Sequence, residues 1–224
     1  MSKGIAIALT IACVLAAAAS ANRLAAQAVP TRGQLPAIAL PDSVLARVSA
    51  ELREKYAFFS TAADAAASTA DPNDTGADLN RLGRVAGYVR GRNVRGAFTY
   101  HAAKGLLTVS TSVILWRDSA AARASISLEL ANQKRFVGKK LPGGLFVSAA
   151  CSKVGSLAAT ICHERARPTK GTDDFFGTVV MFNVDQLRGN VIISRSDNAN
   201  VDTLALSLAA QLRQRMLAAF GRHH

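Results

Sequence analysis

The residues able to do chemistry are few, and most are spaced wrongly for it. Nucleophilic hydrolysis needs a serine on a sharp strand-to-helix turn or a cysteine beside a base, and the chain has no G-x-S-x-G. Ser196-Asp197-Asn198 spells the S-D-N of penicillin-recognising enzymes. No S-x-x-K accompanies it, and Lys170-Gly171-Thr172 inverts the required K-T-G, so the triplet reads as a turn leading into a helix. Glycosidase chemistry needs two opposed carboxylates. Asp71 with Asp74, and Asp173-Asp174, fall in loop-like stretches and read as turn formers. No glycine-rich phosphate cradle or dinucleotide fingerprint follows a strand, and no cofactor is expected.

Histidine occurs at His101, His163, His223 and His224, the last two at the chain end and His101 in a turn. His163 follows Cys162, but no C-x-x-C or H-E-x-x-H pattern is present to make a metal site. His163, Arg165 and Arg167 alternate, which puts all three on one face of a strand. Arg90 and Arg92, with Arg84 on the same parity, form a second stripe if their strand is continuous. These residues, with Lys139 and Lys140, are the candidate anion-binding surface; the competing reading is a solvated sheet face with scattered cations. Interleaved aromatics are absent, so nucleic acid is not expected as a partner.

The first residues carry Lys3, an uncharged apolar run from Ile5 to about Ala19, and then small residues, the order of a secretory signal peptide. Cleavage after Ala21 or after Ala28 fits the small-x-small rule. A membrane anchor would need ~20 strongly apolar residues, and this run is short and largely alanine. Thr10-Ile11-Ala12 before Cys13 is a poor lipidation signal. Loss of the leader removes Cys13 and leaves Cys151 and Cys162, eleven positions apart. In an oxidising compartment such a pair reads as a disulfide, with free thiols or a metal site as alternatives. The formal net charge of +12 falls to +11 without Lys3 and to +10 without Arg23 as well. An exported basic protein is drawn to anionic surfaces, though the charge also serves solubility alone.

Residues 29–41 read as a flexible proline-containing segment. Val44, Leu45, Val48, Leu52, Tyr56 and Phe59 recur at helical spacing and predict a helix over 43–61. Residues 62–80 read as a loop, and 84–90 and 94–100 as a hairpin about Gly91-Arg92-Asn93. Alternation at Leu107, Val109, Thr111, Val113 and Leu115 predicts a central strand over 106–116. Asp118 caps a helix to about Gln133. Residues 139–144 form a loop, and four strands follow near 145–149, 157–164, 177–185 and 190–196. Asn200 or Asp202 then starts a helix to about Phe220, with 221–224 a tail.

That order predicts an α+β fold, an antiparallel sheet with helices packed on it, in a single domain over 42–220. The layout, with Leu82-Gly83-Arg84-Val85-Ala86-Gly87-Tyr88 opening the sheet and a terminal strand-to-helix unit, resembles exported bacterial PsbP-like α/β-sandwich proteins, including actinobacterial lipoproteins and kinase sensor ectodomains. The resemblance covers about Ser43 to Phe220 and implies a binding or scaffolding module without catalytic residues. The expectation is an exported, non-catalytic, non-membrane-spanning module that meets an envelope protein or an anionic envelope component. A small-ligand carrier or an extracytoplasmic hydrolase is the alternative.

Overall fold

The structure, a computed structural model, describes residues 29–67, 69–95, 105–141, 144–168 and 174–221. The expected leader with Cys13, and His101, Lys170-Gly171-Thr172, Asp173 and His223-His224, lie outside these residues.

Eight strands form one antiparallel sheet in the order β1-β2-β3-β8-β7-β6-β5-β4. They are β1 (Glu54–Ser60), β2 (Arg84–Asn93), β3 (Leu106–Trp116), β4 (Lys140–Leu141), β5 (Gly144–Val154), β6 (Ala159–Pro168), β7 (Phe175–Val184) and β8 (Leu187–Arg195). The first three make a meander. A helix, α5 (Ser119–Phe136), then carries the chain to the far edge, and the last five strands meander back until β8 pairs with β3. β3 is therefore interior and is buried along almost its whole length, on both parities, because helical layers cover both faces of the sheet there.

Each face of the sheet carries a layer. On one face α6 (Asp202–Ala219) and the segment from Leu35 to Leu52 cover Leu107, Val109, Val113, Val180, Phe182, Val191 and Ile193. That segment includes two helical turns, α1 (Leu35–Ile38) and α2 (Asp42–Ala46). On the other face lie α3 (Ala62–Ala66), α4 (Pro72–Leu82) and α5, against Ile114, Trp116, Cys162, Val179 and Met181. Asp118 caps α5 by accepting from the Ala121 amide at 2.7 Å, and Asn200 accepts from the Asp202 amide at 2.8 Å at the start of α6.

Several elements differ from the sequence expectation. Residues 43–61 are a short helical turn followed by an edge strand. Tyr56-Ala57-Phe58-Phe59 is an aromatic run that fits a pleated surface, and all seven β1 residues pair with β2. Residues 62–66 and 72–80 are helical: Thr61 and Asp64 form a capping box at α3, and Pro72 sits at the first position of α4, where its missing N–H costs nothing. Gly83 ends α4 at φ 86°, a left-handed stop that frees the chain to enter β2. Gly91-Arg92-Asn93 lies inside β2, and Gly91 suits its place because the Tyr56 ring lies against it where a Cβ would stand. Residues 29–41 are not a mobile lead-in: Leu35, Ile38, Ala39 and Leu40 are buried in the main core. α5 runs on to Phe136, and 139–144 contributes the short strand β4.

Candidate functional site

Strand β6 lies third from the β4 edge, and its odd-numbered residues beyond the core emerge on the face that α6 covers. His163, Arg165 and Arg167 share that face and are exposed, as their alternation requires. α6 begins beside them, because the chain leaves β8 at Arg195 and turns through 196–201 before the helix starts. Between the helix start and β5–β8 this leaves a half-open cleft of about 460 Å³. Its floor and walls include Ser148, His163, Arg165, Phe176, Thr178 and Arg195, with Asn198, Asn200 and Asp202 on the loop side.

The charges in and around the cleft are organised as pairs. His163 Nε2 stands 2.8 Å from Asp202 Oδ1. Arg165 and Arg167 both donate to Asp174, the latter at 3.1 Å. Burial alone would raise the Asp174 carboxyl, but the hydrogen bonds and charges of the two guanidiniums outweigh it and hold the group below its ordinary value. Arg195 donates through Nη2 to Asp197 at 2.9 Å, and that hydrogen bond, ahead of a smaller burial effect, lowers Asp197. The cleft thus presents donors and acceptors side by side, with Phe176 as its apolar wall. A ligand carrying both polar types and a small apolar portion fits it better than a polyanion.

The other predicted cations lie elsewhere. Arg90 and Arg92 are on β2, four strand spacings or about 19 Å across the sheet. Arg90 donates to the carbonyls of Leu40 at 2.9 Å and Pro36 at 3.3 Å. Arg92 forks onto Asp42, with its Nη1 on the Leu52 carbonyl at 2.8 Å, and so clamps the 35–52 segment to the sheet. The Arg92 hydrogen bond is the largest influence holding Asp42 below its ordinary value. Lys139 meets Asp71 at 3.5 Å, and Lys140 stands exposed at the start of β4. Cys151 and Cys162 are directly opposite in the β5–β6 register and form a disulfide.

Sequence reasoning missed a buried polar cluster on the other sheet face, under α5. Arg188 has a side chain only 6% exposed. It donates to Asn190 Oδ1 at 2.9 Å and the Ser125 carbonyl at 3.1 Å, and reaches Glu129 at 3.6 Å. Glu164 accepts from Gln133 Nε2 at 2.6 Å. Burial, then the charge of Glu129, pushes Glu164 up to about 7. Arg84 is pushed down to about 10 by burial and then by Arg188. The signal for Glu164 was available: even parity places it with Cys162 on the inward face. Arg188 gave none, since it follows directly on a hairpin turn.

No protein-family model matches the chain, and no curated protein matches it. Among solved structures, the extracellular domain of PknH from Mycobacterium tuberculosis is similar, with a TM-score of 0.55 at 14% identity, over 88% of this chain and 100% of that one. At this identity the likeness is one of fold: the chain shares the sheet-and-helix architecture of that domain.

Proposed function

We propose that this chain is a non-catalytic binding domain that works outside the cytoplasm, delivered by a leader within 1–28, and that the cleft at the start of α6 holds its ligand or partner. The observation that carries the reading is the cleft itself, where β5–β8 and the 196–201 loop converge polar groups of both kinds around Phe176. The paired cysteines support an oxidising compartment. The likeness in fold to the extracellular domain of PknH supports an extracytoplasmic setting, and the order of elements supports an affiliation with PsbP-like sandwich proteins.

The test is ligand retention. The protein is recovered from the medium or envelope of its own host, and molecules released from it on denaturation are identified by mass spectrometry. Ala199→Trp, on the exposed loop wall, serves as the blocked cleft. A molecule retained by the parent protein and lost in A199W supports the reading; retention that is equal in both, or absent from both, contradicts it.

A further inference from the structure

The cleft borders a sheet edge. β4 covers only the start of β5, through Lys140 with Leu145, Leu141 with Gly144, and the Phe146 amide and carbonyl with Lys139 and Gly138. From Ser148 to Val154 no described strand lies outside β5, so its outward N–H and C=O groups have no backbone partner among the described residues. Unpaired edges of this length are ordinarily blunted by proline, bulges, charged side chains (lysine above all) or a covering element, and from Ser148 to Val154 only Lys153 is of that kind. Here the register irregularity falls before Ser148, and the seven residues that follow pair regularly with β6.

Three features make this edge a template. Ser148, Ala149, Ala150 and Ser152 are small, so a neighbouring backbone can approach to the ~4.8 Å of a sheet. The Cys151–Cys162 bond ties the edge strand to β6 across a Cα separation of 4.1 Å, which holds the strand extended before anything binds. Ser148 and Ala150 also form the outer wall of the cleft, so a strand laid along β5 directs alternate side chains over the cleft mouth.

Charge selects the occupant. Gly144–Val154 contains Lys153 and no carboxylate, and Lys140 stands at the other end. Neither lysine has an ion pair among the described residues. Arg165 and Arg167, one strand further in, are already paired with Asp174, so the two lysines are the charge this edge offers a partner. A second copy of the chain, with net charge +12, is repelled from this edge. We infer that the outer edge of Ser148–Val154 takes an extended, acidic segment of a partner protein as an added strand, with alternate side chains reaching the cleft. The inference rests on the reading of the chain as a binding domain and names the class of its partner.

The experiment uses the purified protein and a fluorescent nine-residue peptide of alternating Glu and Val. Anisotropy gives affinity, and amide hydrogen exchange gives the place. The expected result is saturable binding that slows exchange at 148–154 at least tenfold. Methylating every second peptide amide should weaken binding at least tenfold, and Lys140→Glu with Lys153→Glu about tenfold. A peptide of alternating Lys and Val should not bind. Absence of binding, equal binding of the methylated or lysine peptide, protection away from β5, or dimerisation of the protein through β5 would overturn the inference. If the cleft retains its ligand while the peptide fails, strand addition falls and the binding-domain reading stands. Loss of both ends both.

Discussion

Arg188 and Glu164 show how much a single charge depends on what surrounds it. The Arg188 side chain is enclosed between α5 and β8, where it satisfies Asn190 and Ser125. Truncating it leaves those buried groups unpaired, while Glu129, 43% exposed, keeps its contact with water, so Arg188→Ala should cost about 1–3 kcal/mol in chemical denaturation. Arg81→Ala, on a side chain 81% exposed, should change stability by less than about 0.5 kcal/mol. Glu164 makes a second prediction. Its folded value near 7 lies above the ordinary carboxylate value of 4.5. Below about 4.5 both folded and unfolded chains hold the proton. Between 4.5 and 7 the unfolded chain releases it first, so stability falls as pH rises through this window. Melts at pH 5 and pH 8 should show a pH-linked loss, on the order of 2 kcal/mol, that Glu164→Gln removes. An unchanged slope in E164Q would assign the loss to other groups.

The elements that could be read from sequence were those whose information is local. β3 alternates over eleven residues, α5 opens on an aspartate cap, and α6 carries an apolar stripe from Leu204 to Met216; each is where the spacing placed it. β1 failed because its apolar residues satisfy helical and strand spacing together, and pairing with β2 decided between them. α4 was hidden because Asp71-Pro72-Asn73-Asp74 is both a turn sequence and a helix start. In the cleft, the shared face of His163, Arg165 and Arg167 followed from parity. Their partners Asp174 and Asp202 and the neighbouring Arg195 did not, since these come from the residue before β7, the start of α6 and the end of β8. Arg92 belongs to this scale because it holds a segment rather than a ligand. Arg92→Ala should loosen 35–52, so that amides there exchange at least tenfold faster while those of β7 are unchanged. Equal protection in both proteins would show that the buried Leu35, Leu45 and Leu52 hold the segment unaided. For the disulfide, replacing both cysteines by serine should cost about 2–4 kcal/mol in denaturant melts, since the bond closes a loop of about a dozen residues. A loss below about 1 kcal/mol would mean that sheet pairing alone fixes the β5–β6 hairpin.

At the scale of the molecule, the two layers differ in what they leave open. Over β1–β3 the 35–52 segment closes one face, and α3 and α4 pack against the other. Toward β6 and β5 the covering thins, because α6 starts only at Asp202 and the exposed ends of these strands project past it. The cleft, the cationic face of β6 and the uncovered edge of β5 are therefore one region, made by where the last helix begins. The positive charge of the chain is not a patch there: the cleft arginines are paired with carboxylates, which turns a basic composition into a polar site of mixed charge.

The measurement that bears most directly on this region as the binding site is amide hydrogen exchange of the protein with and without the soluble envelope fraction of its host. Slowing should appear in 144–168 and 195–204, at least tenfold at the cleft, and should vanish in A199W. Protection confined to α4 and α5 on the opposite face, or no protection anywhere, would contradict the account.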